Sequence, residues 1–193
     1  MGYSISPGVG SVVYPSTEIA RGPAGCVGVT FDRQMAATAN NTSLLTSGTL
    51  LVAPMVLAVG TTVTNLNFKT GTTAATAPTN WWLGLWNLST LALIANTADQ
   101  LTGAIAASTI FTKALTSAYL VPASGTYLVG LMVAATTVPT LAAANTAPTS
   151  AANGSSILPV FNGNSSAGLT VLPAPNPAGA ITFQASVPLI WAT

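Results

Sequence analysis

The strongest indication of the fold is the stretch NWWLGLW at residues 80–86. In an extended strand, successive side chains point to opposite faces. Trp82 and Trp86 then share one face, and Trp81, Leu83 and Leu85 share the other. A strand that is apolar on both faces is covered on both, so we expect this segment to lie inside a layered β-structure. The opposite sheet would cover one face, and the N-terminal segment or a neighbouring subunit would cover the other.

Short β-type runs flank this stretch on both sides. From residue 43 onward, runs rich in β-branched and aromatic residues alternate with turns of Gly, Pro, Asn and Ser. The predicted strands are Thr49–Ala53, Thr61–Phe68, Asn80–Trp86, Leu91–Ala95, Ile110–Leu115, Thr126–Ala134, Ile181–Val187 and Leu189–Trp191. Strands of this length and spacing predict an antiparallel all-β sandwich or barrel.

Three details refine this pattern. Gly130, inside a strand, predicts a bulge or the close approach of another backbone. Thr97–Ala107 is predicted as a turn or one short helix, with Thr97 as its cap. Residues 145–179, rich in Asn, Ser, Gly and Pro, are predicted to form a long loop containing one or two strands.

Residues 1–42 have a different character. They hold four of the seven charged residues of the chain, and Pro and Gly interrupt them too often for a helix or a long strand. We therefore predict an extended N-terminal arm for attachment or assembly (1–42) ahead of a β-sandwich domain (43–193). A disordered leader is the alternative, but the arm has apolar residues that it could bury on docking. The candidate assembly contacts are Tyr3, Tyr14, Arg21, Phe31 and Arg33.

The composition argues against catalysis. The 193 residues include no histidine, one cysteine, three acids and four bases. Histidine is the usual general base and the commonest metal ligand, and the acids are too scattered for a carboxylate pair or a calcium site. The sequence therefore predicts a protein that is not an enzyme and has no catalytic, metal or cofactor site. A net charge of +1 gives no basic footprint, so no nucleic-acid binding is expected.

The small number of charged residues also indicates which partners the protein has. Charged residues make up 4% of the chain, against about a quarter in a typical globular protein. Such a surface is poorly protected against association, which favours an oligomer. The longest apolar runs, Leu50–Val59 and Tyr127–Ala135, are shorter than the roughly 20 residues of a membrane-spanning helix. We therefore expect no membrane insertion.

Several stretches resemble a known family. They are Thr46–Phe68, Asn80–Trp86, Thr97–Gln100, Ser124–Val133 and Ser186–Trp191. In pattern and composition, residues 43–193 resemble a module common in tailed phages of actinobacteria, where it occurs in minor tail proteins and in related fibre or capsid-decoration proteins. The resemblance implies a jelly-roll-like sandwich, usually trimeric, on the surface of the virion. It includes no defined site motif, so it assigns no functional residue.

Two classes of function compete on this basis. The first is a virion structural protein, a homotrimer attached to the major capsid or tail proteins. The alternative is a carbohydrate-binding module for a host cell-surface glycan, in which Trp81, Trp82 and Trp86 would stack on sugar rings. The exposure of these tryptophans discriminates between them, because a ring buried in the core cannot stack on a ligand.

Overall fold

The computed structural model describes residues 25–30, 40–145, 163–164, 168–172, 182–183 and 186–193. In these residues the chain forms thirteen strands, arranged in three antiparallel sheets, and no helix. The strands are β1 (Gly28–Val29), β2 (Asn40–Thr42), β3 (Thr49–Leu57), β4 (Thr62–Lys69), β5 (Thr76–Asn87), β6 (Leu93–Asn96), β7 (Ile110–Leu120), β8 (Gly125–Thr137), β9 (Leu141–Asn145), β10 (Gly163–Asn164), β11 (Thr182–Phe183), β12 (Ser186–Pro188) and β13 (Ile190–Ala192).

Two of the sheets form a sandwich with jelly-roll topology. One sheet has the strand order β1-β13-β4-β7, and the other has the order β11-β10-β3-β8-β5-β6. Eight strands remain when the small strands β2 and β9–β12 are left out, and we number these eight in chain order. The first sheet then holds the first, eighth, third and sixth strands, and the second holds the second, seventh, fourth and fifth. This is the strand order of a jelly roll. The predicted all-β, jelly-roll-like antiparallel sandwich is confirmed.

The main core lies between these two sheets. Leu66 and Phe68 on β4 meet Leu83 and Leu85 on β5 and Leu131 on β8 in one apolar cluster, and all five are fully buried. Complete burial of each such side chain contributes about 1.5–3 kcal/mol. The inward residues of β5 are those that the alternation in NWWLGLW assigns to one face.

A second apolar cluster covers the outer face of the larger sheet. Its centre includes Trp82 and Trp86 from β5, with Leu50, Val52, Leu128 and Met132 from β3 and β8. Leu169 and Leu172, from later in the same chain, pack against this cluster. The cover on this face therefore comes in part from residues 168–172, which the sequence analysis did not assign to it.

The third sheet, β12-β9-β2, is small and packs against the core-facing side of β3, and Leu141 and Ala143 of β9 belong to the main core. Ala144 on β9 and Val187 on β12 bury themselves against Ala53. An isolated bridge from Thr70 to Leu141 joins this sheet to the end of β4. The third sheet therefore extends the sandwich at one end and does not form a separate unit.

Two pieces of the segment 1–42 belong to these sheets. β1 pairs with β13, and the amides of Val27 and Thr30 donate to the carbonyls of Ala192 (2.9 Å) and Ile190 (3.0 Å). β2 pairs with β9. The proposed assembly contacts Tyr3, Tyr14, Arg21, Phe31 and Arg33 lie outside the described residues.

Candidate functional site

The four tryptophans are buried within the chain. Trp81 is 1% exposed, Trp82 7%, Trp86 0% and Trp191 4%. Trp81 points into the main core, while Trp82 and Trp86 lie in the cluster on the outer face of the same sheet. None of the four rings presents a face that could stack on a sugar.

Trp86 occupies a slot made by two glycines. Gly84 on β5 is directly paired with Gly130 on β8. A methyl group added at Gly84 would lie 2.5 Å from the Trp86 ring, and one added at Gly130 would lie 2.9 Å from it. At Gly130 the closest groups are the Trp86 ring, the Leu50 side chain and the Leu51 carbonyl oxygen, each 2.9 Å from an added methyl group, so the approach is made by side chains as well as by the backbone that was predicted.

Trp81 is the centre of an aromatic group between the sheets. Phe68 and Phe111 stack on each other with centroids 5.0 Å apart, and both meet Trp81 edge to face at 5.9 and 5.8 Å. Such pairs add about 0.5–1.5 kcal/mol each beyond the area that they bury. The ammonium of Lys113 lies 4.9 Å from the centroid of the Trp81 ring, within the range of a cation–π interaction.

A turn anchored by Asp99 closes over this group. The carboxylate accepts hydrogen bonds from Asn80 Nδ2 (2.6 Å), the Trp81 amide (3.1 Å) and the Leu101 amide (2.9 Å). The Trp81 indole donates to the carbonyl of Gly103 at 2.9 Å. The segment Thr97–Ala107 is therefore the predicted turn and not the helix. The hydrogen bonds of Asp99 with Asn80 and Trp81 hold this turn to β5.

Threonine hydroxyls tie together the loops at one end of the sandwich. Thr70 Oγ1 donates to the carbonyl of Ala106 (2.8 Å) and accepts from the amide of Thr109 (2.9 Å). Thr140 Oγ1 accepts from the Thr73 amide at 2.9 Å. This network was not predicted, although the run Thr-Gly-Thr-Thr at 70–73 is a signal of side chains that bond to the backbone. The network is neutral and internally bonded.

Across the described residues, the charged side chains are Lys69, Asp99 and Lys113. Burial raises the pKa of the Cys26 thiol, although a hydrogen bond with the backbone of Gly28 opposes the shift. A thiol in this state is a poor nucleophile, because the thiolate is the reactive form. No group of three or more Cys, Asp or Glu side chains that could hold a metal ion occurs in this part of the chain.

The remaining aromatic pair lies near the opposite end. Tyr119 and Tyr127 meet edge to face at 6.3 Å, and the Tyr127 hydroxyl donates to the carbonyl of Ala123 at 2.9 Å. Desolvation, followed by the hydrogen bond and charge of Tyr127, raises the pKa of Tyr119. Tyr119 therefore stays neutral at physiological pH, and the two rings act in packing.

Searches of the chain against protein-family models, curated proteins and solved structures find no match in any of the three. Of the residues that the structure describes, none forms a helix long and apolar enough to cross a bilayer. The candidate site must therefore be judged on its own geometry. In the described residues that geometry consists of buried aromatic rings, the Asp99 carboxylate already hydrogen-bonded to its own chain, and a neutral network of threonine hydroxyls.

Proposed function

We propose that this protein is a non-enzymatic structural component of a bacteriophage virion, displayed on the surface of the capsid or tail. In this proposal it is a minor tail, fibre or capsid-decoration protein. It forms a homotrimer, and the part of residues 1–42 that precedes β1 attaches it to the major capsid or tail proteins.

The observation that supports the proposal most is a jelly-roll sandwich in which the described residues include only three charged side chains. The outward side chains of β7 are an example: Ile110, Thr112 and Ala114 are exposed, and none carries a charge. Jelly rolls of this kind recur in viral capsids, although a fold by itself is only an analogy for function. The resemblance of residues 43–193 to phage tail modules points in the same direction.

Jelly rolls are also found in lectins, so the glycan-binding alternative needs its own support. That alternative depended on exposed tryptophans, and Trp81, Trp82 and Trp86 are buried. Asp99, the one acid among the described residues, is already bonded to three donors of its own chain. We therefore favour the structural role.

Localisation on the particle tests the proposal directly. Antiserum against the full chain should label purified virions at regular positions on the head or tail in immunogold electron microscopy. Antiserum against a cytosolic host protein is the control. Label found only in cell debris, with clean particles, would contradict the proposal.

The oligomeric state is a second test. Light scattering after size-exclusion chromatography should give the mass of three chains of 19.2 kDa each. A stable monomer at all concentrations would remove the argument that a surface with so few charges is covered by other subunits.

A further inference from the structure

β7 is the edge strand of the sheet β1-β13-β4-β7. Among the described residues, it pairs along its length only with β4. An exposed edge offers unpaired backbone groups to any second strand, so edge strands carry a risk of association. Ile110-Phe111-Thr112 is rich in β-forming residues, which adds to that risk.

The second half of β7 is already protected. The register against β4 shifts between Val63 and Asn65, so that β7 carries extra residues after Ala114. There Leu115 bridges to Thr97, and Thr116 Oγ1 donates to the carbonyl of Asn96 at 3.0 Å. This irregular stretch leans toward the other sheet. Residues 110–114 are the part of the edge that remains regular.

Lys113 lies in that regular part and points inward. It is paired with Leu66, a fully buried core residue, and directly paired residues share a face of the sheet. Its ammonium lies 4.9 Å from the Trp81 ring, at the margin of the core, and the side chain is half-buried. The aliphatic stem packs on the aromatic group while the charged end keeps contact with water.

We propose that Lys113 prevents the β7 edge of one copy from pairing with the β7 edge of a second copy. A strand added at residues 110–114 would close the margin of the core and strip water from the ammonium. In the described part of the chain no carboxylate pairs with it, and a buried charge without an ionic partner is costly. An inward-pointing charge on an edge strand is a recognised means of blocking such pairing.

The test compares Lys113→Met with Lys69→Met in the full chain. Both variants remove one positive charge from the same sheet, but Lys69 is exposed on β4, opposite Ile110. We expect Lys113→Met to aggregate about tenfold faster by light scattering and thioflavin T fluorescence, with Lys69→Met close to the parent. Hydrogen exchange should show new protection at residues 110–114 in the aggregate. Equal aggregation rates of the two variants, or new protection from hydrogen exchange only outside residues 110–114, would overturn the proposal.

A third variant covers the case in which Lys113→Met folds poorly. Thr112→Lys added to Lys113→Met restores a charge to the same strand on its exposed face. If edge protection is the role of the charge, this variant should regain most of the parent's solubility. If near-ultraviolet circular dichroism shows that both variants are unfolded, Lys113 is needed for folding alone and the proposal is wrong.

Discussion

Gly84 on β5 lies directly opposite Gly130 on β8, and the indole of Trp86 rests over both. The two glycines are needed because a side chain on either one would occupy the space of the ring. The pair explains how a strand with tryptophans on its outer face can bury Trp86 completely. This relationship makes a direct prediction about stability.

Gly130→Ala should lower the free energy of unfolding by about 1–3 kcal/mol through overpacking. Its methyl group would lie 2.9 Å from the Trp86 ring, from Leu50 and from the carbonyl oxygen of Leu51. Gly125→Ala is the matched control on the same strand, because a methyl group there meets nothing within 4 Å. Urea denaturation should separate the two variants, and equal losses would show that the slot does not matter.

Asp99→Ala should destabilise the fold by about 1–3 kcal/mol, because it leaves the Trp81 and Leu101 amides without their acceptor. Asp99→Asn keeps one side-chain oxygen for these amides and should lose less. Thermal unfolding followed by tryptophan fluorescence is a suitable measurement. If Asp99 anchors the turn through these hydrogen bonds, stability decreases from the parent to Asp99→Asn and again to Asp99→Ala.

Cys26 should react slowly with a thiol reagent in the native state and rapidly after denaturation, since it is buried and its pKa is raised. The folded state then holds its thiol proton more tightly than the unfolded state does. Its contribution to stability is present below the ordinary pKa of 9.0 and is lost as the pH rises above that value. Cys26→Ala should flatten this part of the stability curve. If the fall of stability with pH is unchanged in Cys26→Ala, other titrating groups cause it.

Removal of residues 1–24 should prevent incorporation into virions while the sandwich stays folded. The truncation stops before β1 because Gly28 and Val29 are paired with β13. Circular dichroism of the purified variant checks the fold, and a blot of purified particles checks incorporation. Particles that still carry the truncated protein would show that attachment does not need this segment.

The alternation in NWWLGLW was enough to predict which residues of β5 face each way, because that pattern is local. The end of the chain was harder. Ile181–Val187 was expected as a single strand, but the structure has β11 at Thr182–Phe183 and β12 at Ser186–Pro188, and they lie in different sheets. Periodicity tells where a chain is extended, but it carries no information about which partner strand it joins.

The candidate site was harder to predict from the sequence for the same reason. The hydroxyl of Thr140 meets the amide of Thr73, 67 residues away in the chain. The contact of Lys113 with Trp81 also depends on how β7 faces β5. Such contacts arise only when the two sheets pack. The burial of Trp86 likewise depends on Gly130, a residue of another strand.

The position of β13 has a consequence for biosynthesis. β13 lies between β1 and β4, and it emerges from the ribosome after every other described strand. Until then the core residues of β4 lack one of their two neighbouring strands. While the segment between β4 and β13 is being synthesised, this sheet therefore cannot close, and the nascent chain has an open β4 edge to shield.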